Sequence, residues 1–330
     1  MVPGTTADRK VAAIRQPLGF RSVSLVLLTV LLWGGTPVAT KFSLETMPPI
    51  AVACVRFGLA SVCMLIWCLI TGVLLRPRGH EVVLAGVAGG IMALQIFLFN
   101  LGIHYSNASH GTVLIQTFVF MVLVIEHFFT KTDRLTARTL LGVTIAAVGV
   151  ATALATTGQM DTIGSAGADE LLQHHSDRPR LLGDGLLLLS AGLLSIKIVF
   201  IKFSVQQMDS AKLIFWHDLV GLLFFGLFSL VLEGTAAWAL ENFTWPTILG
   251  LLYQGIVVAG FCFATHAWLL QYHSATQLSV FSFATPLFGV MLAIVLRRDP
   301  LSSWLVVAGI GVTVGIYLVN QRHTKPATTG

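Results

Sequence analysis

Residues Trp33–Phe57 read WGGTPVATKFSLETMPPIAVACVRF and follow an almost wholly apolar run. Adjacent glycines and a proline are unfavourable inside an ordinary helix, and lysine and arginine are costly inside a membrane helix. Such residues are tolerated at membrane depth where neighbouring helices or water satisfy the backbone groups that they release. The stretch therefore predicts membrane helices beside a polar cavity, with Gly34 and Gly35 permitting close helix approach.

The composition predicts a membrane protein. Of 330 residues, 55% are hydrophobic and only 11% are charged, whereas soluble domains carry about 25% charged residues. The mean hydropathy is +0.83. The net charge of +5 is not gathered into a basic patch, which argues against nucleic-acid binding. All four cysteines lie in apolar segments, so we expect reduced packing residues.

Ten apolar segments have about the length of a spanning helix, which needs roughly 20 residues. They are too long for barrel strands and show no alternation of apolar with polar residues. We therefore predict an all-α integral membrane protein with ten transmembrane helices. The segments are residues 22–41, 48–72, 82–103, 107–130, 136–157, 183–204, 212–232, 246–269, 274–296 and 302–320.

Lysines and arginines between the segments predict the orientation of the chain. If the N-terminus is cytoplasmic, twelve of these residues lie inside and four lie outside. Both termini are therefore expected in the cytoplasm. The predicted parts are a cytoplasmic segment 1–21, a first five-helix repeat 22–157, an outside polar linker 158–182, a second repeat 183–320 and a cytoplasmic tail 321–330.

The two halves of the sequence match each other in order. At an offset of 161, Lys41-Phe42-Ser43 falls on Lys202-Phe203-Ser204, and at 167 the Tyr105 turn falls on the Tyr272 turn. Because each half has an odd number of segments, two copies in series have opposite orientations. This is the inverted repeat of many secondary transporters, with a site near the midplane.

With these motifs the chain resembles the EamA-type carriers of the drug/metabolite transporter superfamily. The resemblance rests on Trp33–Phe57, on the turns at Tyr105 and Tyr272, and on the Asp133 and Asp299 turns. It implies proton-linked or facilitated movement of small metabolites, often export, across a bacterial inner membrane. It also implies that the fifth and tenth helices lie outside a cavity surrounded by the other eight.

Polar and aromatic residues within the segments are candidates for the site, since buried ionisable groups in membrane helices face a cavity or a partner. The candidate substrate-binding residues are Lys197, Arg56, His217, Trp33, Gln95, Asn100, Gln116 and His266. The candidate proton-coupling residues are Lys197, His217 and Asp218. Mixed aromatic and amide walls suit amino-acid-like or amphipathic metabolites.

Structural roles are the alternative for several charged residues. Lys197 lies about 20 Å along its helix at 1.5 Å per residue, so it either serves transport or pairs with a carboxylate. Arg56 either holds an anionic group or a structural acid. Lys202 is expected to reach the headgroups with its long stem, and Glu126 to reach the membrane interface.

An inverted repeat favours a carrier with a small-molecule substrate over an intramembrane enzyme or a channel. The sequence contains no nucleotide-binding motif and no nucleophile elbow, so we expect no catalytic residues, no cofactor and no metal. The lipid bilayer is the other expected partner, and the chain is either a monomer or a homodimer. Gly311 and Gly315 form a GxxxG pair that serves either a dimer face or internal packing.

Overall fold

The computed structural model of the chain describes residues 18–105, 114–131, 136–164, 177–297 and 303–320. Every regular element in those ranges is helical, which confirms the all-α class. The α-helices are α1 Phe20–Gly34, α2 Thr36–Leu44, α3 Pro49–Thr71, α4 Gly79–Tyr105, α5 Phe118–Ile125, α6 Ala137–Gly164, α7 Asp177–Ser204, α8 Ser210–Leu232, α9 Trp245–Leu252, α10 Phe263–Leu270, α11 Ala275–Ser279, α12 Ala284–Arg297 and α13 Ser303–Asn320. The remaining elements are the π-helices Glu126–Thr130 and Tyr253–Cys262 and the 3-10 helices Thr235–Trp238, Leu240–Asn242 and Val280–Phe283.

Five helices in the described ranges are long and apolar enough to cross a membrane. They are Pro49–Thr71, Gly79–Gly102, Leu181–Ser204, Ser210–Leu232 and Trp245–Leu270. Shorter apolar helices are Phe20–Gly34, Phe118–Thr130, Ala137–Gly149 and Gly309–Asn320. The count of ten spans stays a prediction, because the other predicted segments are interrupted or adjoin residues outside the described ranges.

The first predicted segment, 22–41, is two helices rather than one, and the break falls at Gly35. Pro37 has no N–H to donate to the carbonyl of Trp33, and the hydroxyl of Tyr253 donates to the neighbouring carbonyl of Leu32 at 2.6 Å. A Cβ on Gly35 would lie 2.5 Å from that hydroxyl oxygen. Glycine is therefore required where the tyrosine satisfies the interrupted helix.

Gly34 lies where α1 meets α12. A Cβ on Gly34 would lie 3.0 Å from the backbone nitrogen of Gly289 and 3.0 Å from the carbonyl oxygen of Thr285. The close helix approach predicted for the glycine pair is therefore present, and it joins residues from the two halves of the sequence.

Two further interruptions meet each other in space. The helix that contains α5 is interrupted by a turn at Gln116 and Thr117, and the helix that contains α12 is preceded by the 3-10 helix Val280–Phe283. The side-chain amide of Gln116 donates to the carbonyl of Ser282 at 3.3 Å. The broken segments thus supply partners for each other, as backbone at membrane depth requires.

The main helix pairs each combine one helix from either half: α3 with α8, α4 with α7, and α6 with α13. Phe57 and Phe225 stack between α3 and α8 with ring centroids 5.7 Å apart. A Cβ on Gly315 of α13 would lie 2.5 Å from the carbonyl oxygen of Gly142 in α6. The GxxxG surface is therefore used for packing inside the chain.

The helices on either side of the predicted linker extend into it. α6 continues to Gly164 and α7 begins at Asp177, whereas the sequence predicted a linker over 158–182. The polar composition of these residues did not prevent helical turns at the ends of two long helices. Residues 165–176 lie outside the described residues.

Candidate functional site

A cavity of about 390 Å³ lies among helices from both halves of the chain. Its walls come from α1 to α4, the region around Gln116, α7, α8, the π-helix Tyr253–Cys262, α10 and the residues just before and at the start of α12. No described residue of α6 or α13 lines it. The volume lies within the roughly 300–1,000 Å³ typical of small-molecule sites.

All of the predicted substrate-binding residues line this one cavity. They come from seven separate segments of the helical fold, and the structure places them around a common space: Trp33, Arg56, Gln95, Asn100, Gln116, Lys197, His217 and His266. Their roles in binding stay predictions.

Phe263 is the centre of the charged part of the cavity. The guanidinium carbon of Arg56 lies 5.8 Å from its ring centroid, and the ammonium nitrogen of Lys197 lies 5.3 Å from the same centroid. The ring of His217 packs edge-on against it at 6.0 Å, and Trp33 does so at 6.4 Å. Two cations thus share one aromatic ring, whose electron-rich face attracts positive charge.

Lys197 is 94% buried, with 6% of its surface exposed. Among the residues that the structure describes, no hydrogen-bond acceptor or carboxylate lies within bonding distance of its ammonium group. The Nε of Arg56 is likewise buried without a hydrogen-bond partner. Buried charges normally have a partner, and these two side chains depart from that rule within the described structure.

His217 and Asp218 form a buried pair in α8. The Nδ1 of His217 lies 2.8 Å from Oδ1 of Asp218, and the two side chains are 1% and 0% exposed. His217 lines the cavity, whereas Asp218 does not. Nε2 of His217 and Oδ2 of Asp218 have no hydrogen-bond partner in the described structure. Asp218 therefore acts on the cavity by its charge and through His217.

The other predicted residues line the cavity in two different ways. The rings of Trp33 and His266 pack together with centroids 5.4 Å apart. Gln95 donates from Nε2 to the hydroxyl of Ser190 at 3.0 Å, and that hydroxyl donates to the backbone carbonyl of Gln95. Gln95 is thus held by packing of α4 on α7, while the two rings offer an aromatic surface.

Phe263 is the main residue that the sequence reasoning missed. Phe261, two residues earlier, is 43% exposed and lines a separate groove with Trp67 and Trp268. The residues before Phe263, Tyr253–Cys262, form a π-helix, which has a wider turn than an α-helix. An α-helical register through this stretch therefore does not predict which phenylalanine faces the cavity.

Gln254, in the same π-helix, connects the two halves beside the cavity. Its Oε1 accepts from the hydroxyl of Thr40 at 3.1 Å, and its Nε2 donates to the hydroxyl of Ser43 at 2.9 Å. Both threonine and serine belong to α2. The amide therefore fixes α2 against the second half of the chain.

The expectations for Lys202 and Glu126 were wrong. Lys202 is 3% exposed and Glu126 is 0% exposed, and they form an ion pair inside the protein. The Glu126 carboxylate also accepts from the backbone N–H groups of Ala275 and Thr276, at 3.2 and 2.7 Å. The lysine does not extend to headgroups because a closer carboxylate neutralises it at the start of α11.

A second ion pair lies at the same end of the helices. Nζ of Lys212 lies 2.7 Å from Oε2 of Glu81, at the starts of α8 and α4. Asp209 caps α8 by accepting from the backbone N–H groups of Ala211 and Lys212. We call this end, with Glu126 and Lys202, the closed end.

The opposite end contains the connection between α2 and α3. There the carboxylate of Glu233 accepts from the backbone N–H groups of Ile50 and Ala51, both at 2.8 Å. Two cavity-lining residues at this end, Leu44 and Pro49, are exposed. We call it the mouth end.

The cavity linings nearest the closed end are buried. Ile201, Ile214 and Ala267 are 7%, 1% and 1% exposed, whereas Leu44 is 44% exposed. Exposed lining residues thus lie at the mouth end, whereas the linings nearest the closed end are covered. Within the described ranges, no group of three or more histidine, cysteine, aspartate or glutamate side chains is arranged to hold a metal ion.

A helical protein with several membrane-length helices and an internal cavity is the architecture of a multi-pass membrane transporter. Residues 20–155 and 181–321 match the EamA-like transporter family. The chain belongs to this family. It is therefore a membrane transporter and not an enzyme.

Relatives along nearly the whole length agree with this assignment. An "Uncharacterized transporter" of Archaeoglobus fulgidus is 25% identical, and the match covers 91% of this chain and 97% of that protein. A "Probable amino-acid metabolite efflux pump" of Escherichia coli is 25% identical, with 89% and 93% covered. A crystal structure at 16% identity has a TM-score of 0.72 and covers 89% of this chain and 95% of that one; it supports the fold alone.

Proposed function

We propose that the protein is a gradient-driven secondary transporter that moves small amino-acid-like or amphipathic metabolites out of the cell by alternating access. One observation carries the proposal: a cavity between the two halves has exposed lining residues at the mouth end and buried ones at the closed end. A transporter needs such one-sided access, and rocking of two halves exposes a central site to each side in turn. A channel needs a continuous pathway instead.

The proposed arrangement is ten spans in two inverted five-helix repeats, 22–157 and 183–320. The protein lies in the inner membrane. The segment 158–182 connects the repeats on the outside, and residues 1–21 and 321–330 lie in the cytoplasm. In that orientation the mouth end faces outward and the closed end faces the cytoplasm. The ion pairs of Glu126 with Lys202 and of Glu81 with Lys212 then hold the cytoplasmic side shut.

The closed end is suited to reversible opening. The carboxylate of Glu126, which belongs to the first half, contacts two elements of the second half. It pairs with Lys202 of α7 and accepts from the backbone N–H of Thr276 in α11. When these elements separate, the Glu126 carboxylate, the Lys202 ammonium and the backbone N–H at the start of α11 become exposed to water. Water then solvates the two charges that the ion pair had neutralised. A polar closure of this kind has a smaller barrier to hydration than a packed apolar one.

Counterflow in sealed proteoliposomes tests the proposal. Vesicles loaded with unlabelled phenylalanine, leucine or glutamate are diluted into trace labelled compound, and a carrier accumulates the label transiently whereas a channel does not. We expect counterflow for at least one of the three compounds. Its absence for every compound in this set would contradict an amino-acid-like substrate range.

A matched pair of variants on α4 ties this flux to the cavity. Asn100 lines the cavity, whereas Leu94 does not and is 46% exposed. Asn100→Trp fills part of the cavity and is expected to lower counterflow by about tenfold or more, and Leu94→Trp is expected to leave it within about twofold. Equal losses in both variants would contradict the assignment of this cavity as the transport site.

The monomer or homodimer state and the orientation are tested separately. Light scattering of the purified protein gives the mass of the complex. A cysteine introduced within 158–182, in a chain whose native cysteines are replaced, is expected to react with an impermeant maleimide added outside intact cells. Labelling from the cytoplasmic side alone would reverse the proposed orientation.

A further inference from the structure

The charged groups around Phe263 do not balance one another. Arg56 and Lys197 approach its ring from α3 and α7, and the carboxylate of Asp218 in α8 bonds to His217, whose ring packs against the same phenylalanine. With both cations charged and Asp218 ionised, the cluster has one positive charge in excess. A net charge surrounded by protein and lipid is unfavourable, so the empty cavity has a reason to lose one proton.

Only one of the two cations is able to give up that proton. The guanidinium of arginine stays protonated in proteins, whereas a buried lysine readily changes its protonation state. Both cations have only aromatic rings as close neighbours among the described residues, so the chemistry of the two side chains decides which one loses the proton. In the empty protein, Arg56 with Asp218 is then a balanced set and Lys197 is neutral.

A bound carboxylate restores the missing negative charge. On the basis of the transport function proposed above, we propose that the substrate carries a carboxylate that binds at Arg56 and Lys197, and that its binding brings one proton onto Lys197. The balance is R–COO⁻ plus H⁺ plus a neutral Lys197 amine, giving R–COO⁻ beside a Lys197 ammonium. No bond to carbon changes, and the cavity is neutral before and after binding.

The other titratable groups that face Lys197 do not supply the same exchange. His217 of α8 and His266 of α10 interact electrostatically with it, and each is a neutral ring in the balanced empty cavity. From α4 and from the segment before α5, the cavity presents the amides of Gln95, Asn100 and Gln116, which do not titrate. Cys262 interacts with Arg56 and is fully buried.

Proton uptake at Lys197 changes the net charge that crosses the membrane with the carboxylate. Because the carboxylate and the proton enter together, that part of the substrate crosses the membrane without net charge. Transport of a monocarboxylate is then insensitive to membrane voltage. Export is driven by the outward gradient of the compound and is opposed by a pH difference that is acid outside. A carrier that binds the carboxylate at permanently charged cations responds to voltage instead.

Calorimetry of the purified full-length protein measures the proton directly. The probes are 3-phenylpropanoate and phenylalanine, with their primary amides as matched compounds that lack the carboxylate. Titrations are done in buffers of different ionisation enthalpy, so that the protons taken up per ligand are obtained. We expect proton uptake to rise with pH, from about none at low pH to about one proton at high pH. The reason is that the fraction of Lys197 that is neutral before binding increases with pH.

Lys197→Arg separates the charge from the proton. Arginine keeps a cation for the carboxylate but cannot release its proton at these pH values. We expect carboxylate binding to remain within about tenfold of the wild type, with the proton uptake lost at every pH. The matched control is Lys131→Arg, at an exposed lysine outside the cavity, which is expected to keep both the affinity and the uptake.

Two results would overturn the inference. One is binding of the amides as tight as that of the acids, or binding of neither acid; the other is carboxylate binding without proton uptake in the wild type. The wild-type measurement stands even if a variant fails to fold. If either of these results is found but some compound shows counterflow, only the inference about Lys197 fails and the carrier proposal stands. If proton uptake is normal but no compound shows counterflow, only the carrier proposal fails.

Discussion

Lys197 and Lys202 lie five residues apart on α7, and their surroundings differ completely. Both are nearly buried, with 6% and 3% of their surfaces exposed. Lys202 has the Glu126 carboxylate beside it, whereas Lys197 faces the ring of Phe263 and an open cavity. Lys202 thus has its partner within the fold, whereas Lys197 has none among the described residues. The comparison teaches that burial alone does not distinguish a lysine that is paired within the fold from one that is not.

The largest expected effect comes from removing the partner of Lys202. Glu126→Gln leaves a buried ammonium without its counter-ion, and it weakens the acceptor for the backbone N–H groups of Ala275 and Thr276. Breaking a buried ion pair on one side costs about 3–5 kcal/mol. We expect a loss of that size in the free energy of unfolding, measured by denaturant titration in detergent.

The double variant Glu126→Gln with Lys202→Met is the control for that measurement. It removes both charges, so it should regain at least about half of the lost free energy. A single variant as stable as the wild type would show that the pair contributes little, and that Lys202 resembles Lys197 more than the structure indicates.

Exchanging each lysine for methionine should produce opposite results. Lys197→Met removes a buried amine without a partner, so stability is expected to stay the same or to rise by about 1 kcal/mol, while carboxylate binding falls by about tenfold or more. Lys202→Met leaves Glu126 unpaired and should lower stability with less effect on binding. Unfolding titrations and carboxylate-binding measurements on both variants would test this opposite pattern. The same changes in stability and in binding for both variants would contradict it.

The smallest expected effect concerns the ring that both cations approach. Phe263→Leu keeps an apolar side chain but removes the aromatic face near Arg56 and Lys197. Cation–π contacts contribute about 0.5–2 kcal/mol, so the dissociation constant for a carboxylate should rise by about two- to thirtyfold. Phe261→Leu, two residues earlier and outside the cavity, is the control and should bind as the wild type does.

Much of the site was predictable because membrane helices make polar residues conspicuous. Arg56, Lys197 and His217 stood out as ionisable groups in apolar segments, and the structure places all three around one cavity. Phe263 was not predictable, because one phenylalanine among many carries no signal and a π-helix shifts the register before it. The glycine at position 35 was recognised as unusual, but its partner Tyr253 was not.

By itself, the sequence determined that the protein is helical and that it belongs in a membrane. It also showed which polar residues lie within the apolar segments, where burying a polar or charged group in lipid is costly. Only the tertiary structure decided which charge has a partner. Lys202 and Glu126 are 76 positions apart, and the cavity around Lys197 joins residues from both halves. Such pairings depend on which helix faces come together, and helix faces are set by packing across the whole fold.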